Sequence, residues 1–316
     1  MAKMPPGEQT LYIGIDGGGT KCRASIMTTD LQVLGSGVGG PANPFHGVQQ
    51  AKDSIRTAAE LALIDAGLPP SVMGELIAGA GLAGVNVPSL YEVMSTWEHP
   101  FKKMFLTTDL HIACLGAHNR DEGAVMIAGT GSCGYSYVKD SALFLGGHGF
   151  PIGDKGSGAW MGLAAIQAVL LASDNLGPPT SLSASIGEFL QAKGVMIVDK
   201  MFGAKSSDYA KFAIFVVDAA DNGDAVAINI VKDGAAYMSA VASKLWATEP
   251  GRMSIIGGLA PRLLPWMEQE IVSHISPALY QPEFGAVYFA KQRFNQADNQ
   301  ADNQADNNDS ALITSH

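Results

Sequence analysis

The stretch YIGIDGGGTKC, Tyr12–Cys22, decides how the rest of the chain is read. An apolar alternation runs into three consecutive glycines, Gly17–Gly19, and then Thr20 and Lys21. A Walker A loop has the order G-x-x-x-x-G-K-[ST]. Gly14 and Gly19 have that spacing, but Thr20 and Lys21 stand in reverse order. A dinucleotide loop has the order G-x-G-x-x-G, and here Cys22 occupies the place of its third glycine. The residues after Cys22 decide between these templates and a third arrangement. Both templates lead straight into a helix whose N-terminus holds the phosphate. Here CRASIMTTDLQVLGSG, Cys22–Gly37, reads as a strand, a Thr-Thr-Asp turn and another strand. The glycines therefore sit in a β-hairpin. Three of them exceed what a two-residue turn requires. They are expected to give the turn positive φ and to let a phosphate reach the backbone N–H groups.

Outward from the hairpin, the chain alternates strands and helices. The first helix is predicted from about Gln49 to Ala66, with Ile55, Ala58, Ala59, Leu61, Ala62 and Ile64 at helical spacing and Gly67 stopping it. The strand ELIAGAGLAG, Glu75–Gly84, comes next, then a helix near Ser89–Trp97. The strand KMFLTTD, Lys103–Asp109, runs into a helix beginning near Leu110. The second half starts again. GAVMIAGTGSCGYSYV, Gly123–Val138, is another strand, glycine turn and strand, with a third strand near Leu143–Leu145. Helices are predicted over Met161–Ala172, Leu182–Gln191, Ala225–Lys244 and Pro261–Ile275, with the strand RMSIIGG, Arg252–Gly258, before the last. A strand–glycine turn–strand opening in each half is a weak internal duplication. It predicts two similar α/β domains with a cleft between them: 1–115, completed by a returning helix near 283–293, and 116–282. Residues 295–316, carrying NQAD three times in Asn295–Asp306, read as a disordered polar tail.

The composition narrows the partners. The 316 residues are 47% hydrophobic, enough for a sizeable core, and carry a net charge of -10. Nucleic acid and anionic membranes reward clustered Lys and Arg, so neither is expected as the main partner. A nucleotide remains open, because backbone N–H groups and a metal ion can hold its phosphates. No apolar run reaches the ~18 residues of a membrane span, and MAKMPPGEQT lacks the apolar centre of a signal peptide. Cys22, Cys114 and Cys133 are few and form no CxxC pair, which fits reduced thiols and a cytoplasmic location.

Four segments carry the chemistry: GIDGGGTKC (Gly14–Cys22), TTD (Thr107–Asp109), AGTGSCG (Ala128–Gly134) and IIGGLA (Ile255–Ala260). Read for themselves, the two glycine hairpins can cradle phosphates, with Gly17, Gly18, Gly19 and Thr20 in one and Gly129, Thr130 and Gly131, with Ser132, in the other. Asp16 at its strand end can hold Mg²⁺ through water. Lys21 either reaches a phosphate or is simply solvated. Asp109 either accepts a proton or caps the following helix.

In this order the set resembles the actin-like ATPase and sugar kinase superfamily. More narrowly it resembles the N-acetylglucosamine and bacterial glucosamine kinases, related to the BadF/BadG/BcrA/BcrD-type activator ATPases. TTDLHIACLGAH, AGTGSCGY and FPIGDKGSGAWMG carry the narrower likeness. The resemblance implies two ribonuclease H-like domains and an ATP- and Mg²⁺-dependent kinase that phosphorylates an amino sugar at its 6-hydroxyl, as a homodimer. Glucosamine is expected first and N-acetylglucosamine second. It makes Asp109 the catalytic base and sets Gly257 and Gly258 against adenosine. Asn43 in GPANPF, and Gly149 and Asp154 in GHGFPIGDKGSGAW, would bind the sugar. His148 either touches the sugar or packs its loop, and Asp224 is read as a helix cap. Pro44 and Phe45 depart from the residues that come after this asparagine in the animal kinase, which bears on recognition of an N-acetyl group. The related activator ATPases carry an iron–sulfur cluster on cysteines of the second domain, where this chain has only Cys133.

Overall fold

The computed structural model describes residues 10–296, which fall into two compact units. Residues up to Arg120 with those from Leu279 onward form the first, and Asp121–Ala278 the second. From residue 297 the NQAD repeats lie outside the described residues, while Asn295 and Gln296 still belong to a helix over 282–296.

In the first unit β1 (Tyr12–Gly17), β2 (Cys22–Met27) and β3 (Val33–Gly39) form an antiparallel meander. β4 (Ile77–Leu82) and β5 (Lys103–Thr108) add to the other edge in parallel, giving the order β3-β2-β1-β4-β5. Side chains alternate across β1. Ile13 and Ile15 enter a core with α1 (Val48–Ala66), whose Ile55, Ala58, Ala59 and Ala62 are fully buried. Gly35, Gly37 and Gly39 lie on one face of β3. A methyl group at any of them would strike the α1 backbone, so α1 rests directly on the strand. Gly67 ends α1 in the left-handed conformation, φ 67°.

Tyr12 and Gly14 point to the opposite face. Tyr12 packs with Val287 and Ala290 of the helix over 282–296, and a Cβ on Gly14 would meet the Glu283 carbonyl. α2 (Pro88–Ser95) and α3 (Asp109–His118) complete the unit. α3 crosses the start of the 282–296 helix at Gly116 and Gly285, each of which would collide with the facing segment if it carried a side chain.

The second unit opens with the same meander: β6 (Gly123–Ala128), β7 (Ser132–Val138) and β8 (Ser141–Gly146), antiparallel. β9 (Met253–Ile256) pairs in parallel with β6, as β4 does with β1, giving β8-β7-β6-β9. Between β8 and β9 come α4 (Gly158–Ser173), α5 (Leu182–Leu190), α6 (Val195–Lys200), α7 (Ser206–Ala210), α8 (Ala213–Asp221) and α9 (Ala225–Trp246). Their buried faces form one core around Phe212, Val216, Val231 and Met238. The single helix expected over Pro261–Ile275 is broken. α10 (Ala260–Leu263) passes into a 3₁₀ turn at Leu264–Trp266, and α11 (Gln269–Val272) starts afresh. Pro265 explains the break, because it lacks the N–H an α-helix interior needs and its ring crowds the preceding turn. Among the described residues no helix is long and apolar enough to cross a membrane.

Candidate active site

The first hairpin turns at Gly18–Lys21, where the Gly18 N–H donates to the Lys21 carbonyl (3.0 Å). None of Gly17, Gly18 and Gly19 has positive φ, contrary to expectation. Their need for glycine lies elsewhere. Gly17 is packed against Leu82 and Ala42, whereas a Cβ at Gly19 would meet nothing within 4 Å. Neither backbone strain nor internal packing asks for glycine at Gly19. The open side is where something from outside can approach. The Gly19 and Thr20 amides donate to no acceptor among the described residues, and the Thr20 hydroxyl is likewise unused. Two loops brace the hairpin: Ala42 N–H donates to the Gly18 carbonyl (2.9 Å), and Ala83 N–H to the Gly17 carbonyl (2.8 Å). Lys21 is exposed.

The bracing at Ala42 brings Asn43 to the same end of the sheet. Its Oδ1 accepts from Phe45 N–H (2.9 Å) and caps the short 3₁₀ helix Pro44–His46. Gly84 leaves room for it: a Cβ there would strike Asn43 Oδ1, and the backbone is left-handed, φ 84°. Gly79 and Gly81 of the same run serve packing, against Ala286 and Ile112.

Asp109 is the first residue of α3. The cap is Thr108, whose hydroxyl accepts from His111 N–H (3.2 Å). The Asp109 carboxylate accepts from Leu110 N–H (2.9 Å). Burial pushes its pKa up to about 6 against the pull of backbone N–H groups. Asp16 is pushed up to about 7, first by burial and then by the negative charges of Glu283 and Asp109; Arg23 and Lys21 act in the other direction. The negative charges of Asp109, at the start of α3, and of Glu283, at the start of the 282–296 helix, therefore both act on Asp16 at the end of β1. Glu283 was not singled out from the sequence. It is 5% exposed, and its Oε2 has no hydrogen-bond partner among the described residues. The signal for it was an acid set in an otherwise apolar helical run, PEFGAVYFA. Cys22, packed in the core under α1, has its thiol pushed up to about 12, chiefly by burial, and is inert.

The second hairpin repeats the first. Gly129 N–H donates to the Gly131 carbonyl (3.0 Å), while the Thr130 and Gly131 amides and the Thr130 hydroxyl are unused among the described residues. A Cβ on Gly129 would again meet nothing within 4 Å. The start of α4 holds the turn through Gly158 N–H to the Gly129 carbonyl (2.8 Å) and Ala159 N–H to the Thr130 carbonyl (3.2 Å). Ser132 faces inward instead: it is buried and its hydroxyl donates to the Lys155 carbonyl (2.7 Å).

Asp154 does not cap α4; Ser157 does, accepting from Trp160 N–H (3.1 Å). Asp154 stands in the left-handed region, φ 59°, and its Oδ1 accepts from Gly149 N–H (3.1 Å). Its Oδ2 lies 2.8 Å from where a Gly131 Cβ would be. The carboxylate thus bridges the Gly149 loop and the glycine hairpin. Burial raises its pKa, opposed by the Gly149 N–H and by His148, which is exposed.

Gly257 (φ 116°) sits against the end of β6, where a Cβ would strike the Ala128 carbonyl. Gly258 opens to empty space. Leu259 N–H donates to that same carbonyl (3.0 Å), so this turn adjoins the second hairpin. Asp224 caps α9 through Val226 and Ala227 N–H (both 3.0 Å). Burial works against its charge, yet these bonds and those from Ser181 and Thr180 hold it down to about 2.

Each unit thus gathers its own share of the candidate residues: Asp16, Gly17–Thr20, Asn43 and Asp109 in the first, Gly129–Gly131, Gly149, Asp154, Gly257 and Gly258 in the second. The chain as a whole is similar to known proteins. The chain is 36% identical over 279 residues to glucosamine kinase GspK of Vibrio cholerae, covering 88% of this chain and 95% of the relative. It is 32% identical over 231 residues to an N-acetylmuramic acid/N-acetylglucosamine kinase of Clostridium acetobutylicum, covering 71% and 75%. A solved structure from Chromobacterium violaceum, provisionally named an N-acetylglucosamine kinase, superposes with a TM-score of 0.80 at 26% identity, over 89% of this chain and 99% of that one. The fold is that of the actin-like ATPases and sugar kinases. Residues 13–290 match the profile of one family from end to end of the two units, and the chain belongs to it: the BadF/BadG/BcrA/BcrD ATPase family.

Proposed function

We propose that the protein transfers the γ-phosphoryl group of ATP to an amino sugar, glucosamine before N-acetylglucosamine, at the 6-hydroxyl. The observation that carries this reading is the pair of glycine hairpins whose outer glycines, Gly19 and Gly129, face open space and whose neighbouring amides have no acceptor among the described residues. Such amides suit phosphate oxygens. The glucosamine kinase relative supports the first sugar, and the Clostridium relative the second.

In this mechanism each unit offers its own donors to phosphate oxygens, the Gly19 and Thr20 amides in the first and the Thr130 and Gly131 amides in the second, and Gly257–Gly258 suit the nucleoside. For the sugar, the first unit offers Asn43 and the second offers Gly149 and Asp154. Asp109 takes the hydroxyl proton as the sugar oxygen attacks the γ-phosphorus and ADP leaves. A base near pKa 6 is stronger than an ordinary aspartate yet still ionised at a pH of about 7.5, which matches the task.

The carboxylates fit Mg²⁺, a hard cation that prefers oxygen and keeps several waters. Glu283, whose charge acts on Asp16, leaves a buried oxygen unpartnered among the described residues, and no three ligands there stand close enough for an all-protein cage. When bound, Mg²⁺ would neutralise phosphate charge; Asp16 would hold it through water. We place the activity in the cytoplasm, on a homodimer.

The test is a coupled ADP assay over a sugar panel. Glucosamine should stimulate ADP release most, and phosphorus–proton coupling in the product should appear at carbon 6. Absence of stimulation by every amino sugar would refute the reading. Light scattering on the eluting protein reads the dimer.

A further inference from the structure

We propose that Glu283 is a second carboxylate of the divalent-cation site, acting with Asp16 from beneath the first glycine hairpin. This rests on the reading of the chain as a Mg²⁺-ATP enzyme and adds a residue to it.

Strand geometry places the two groups together. Tyr12, Gly14 and Asp16 share one face of β1, because side chains alternate along a strand. Tyr12 packs on Val287 and Ala290, and Gly14 on the Glu283 carbonyl. Moving along β1 towards the hairpin therefore moves along the helix towards its first turn, and Asp16 comes level with Glu283. Two close approaches lock this register. Neither Gly14 nor Gly79 could carry a Cβ, since the Glu283 and Ala286 carbonyls occupy that space.

Among the described residues the side chain of Glu283 makes no salt bridge, its Oε2 is buried, and no hydrogen bond reaches that oxygen. A buried carboxylate without a partner is costly, and a second and third carboxylate nearby make it more so. Asp16, Asp109 and Glu283 together present more negative charge than the two cations acting on Asp16, Arg23 and Lys21, offset. A divalent cation held by two carboxylates and water removes that excess and employs the orphaned oxygen.

Mn²⁺ binding, read by electron paramagnetic resonance with and without ADP, tests this. Glu283→Gln keeps the size and removes the charge. It should weaken Mn²⁺ binding by about tenfold or more, while the sugar KM stays at the wild-type value. Glu283→Asp should recover part of the loss. Unchanged Mn²⁺ affinity in Glu283→Gln overturns the proposal.

A second measurement uses the wild-type chain, so it stands even if the variant fails to fold. Fe²⁺ with ascorbate and peroxide cuts backbone near its binding site. Cuts beside Asp16 and within 281–285 support the site; cuts beside Asp16 alone overturn it. ADP release measured on the same preparations separates the two readings. If it is sugar-stimulated while Glu283→Gln binds Mn²⁺ normally, only the Glu283 assignment falls.

Discussion

Asp109 and Asp16 are both displaced towards neutrality, and the displacement has consequences that can be measured apart. Asp109→Asn should lower kcat by about 10²–10⁴-fold, the usual worth of a general base. Calorimetry should show sugar binding retained. In the wild type, kcat/KM should fall as pH drops below about 6, because Asp109 must be ionised to accept the proton. For stability the sign is opposite. Asp16 titrates near 7 in the folded chain and near 3.8 when unfolded, so its ionisation costs stability at high pH. Asp16→Asn without metal should therefore raise the melting temperature at a pH of about 8. The gain should fade as pH falls from about 7 towards 4, where the wild-type group is protonated as well. A gain of the same size at the acid end of that range would refute the assignment. Lys21 is exposed at the turn, and Lys21→Ala should be far milder in turnover than Asp16→Ala. Asp109 was legible in the sequence because a strand ending in Thr-Thr-Asp before a helix is a local pattern. That Thr108 and not Asp109 caps α3 was not, since it depends on the Thr108 hydroxyl reaching His111 N–H.

At the scale of elements, glycines divide into two kinds, and substitution separates them. Gly19→Ala adds a methyl group into open space on ordinary backbone. It should leave the melting temperature nearly unchanged and raise the KM for ATP. An unchanged KM in a purified folded variant would argue against phosphate approach at this turn. Gly79→Ala drives a methyl group into the Ala286 carbonyl, so the 282–296 helix must move. Overpacking of this kind costs about 1–3 kcal/mol, read by chemical denaturation. The sequence marked both glycines without telling them apart. GGGTKC and GAGLAG look alike as text; one borders empty space and the other a helix far along the chain. The break at Pro265 was legible in principle, because proline forbids an α-helix interior locally.

For the whole molecule, ligands that bind only the folded state should stabilise it by mass action, about 2.7 kcal/mol at a hundredfold excess over Kd. ATP with Mg²⁺ should raise the melting temperature more than ATP with EDTA, because the proposed site pairs backbone donors with a carboxylate-bound cation. Equal shifts would count against any cation site at Asp16. The net charge of -10 gives no general attraction for ATP, so affinity has to come from local amides and metal.

What the sequence by itself determined is what lies within a few residues: two glycine hairpins instead of loop-to-helix turns, the repeated meander, the order of strands and helices, and an aspartate at the head of α3. Hydrophobic period and turn chemistry act over that range, so single-chain text suffices to read them. What only the tertiary structure decided is which distant residues meet. Asp16 and Glu283 stand near opposite ends of the described chain. Nothing near either residue announces the other; the 282–296 helix lies against the sheet because Gly14 and Gly79 leave room for the Glu283 and Ala286 carbonyls. Burial then leaves one oxygen of an ordinary glutamate without a hydrogen-bond partner among the described residues.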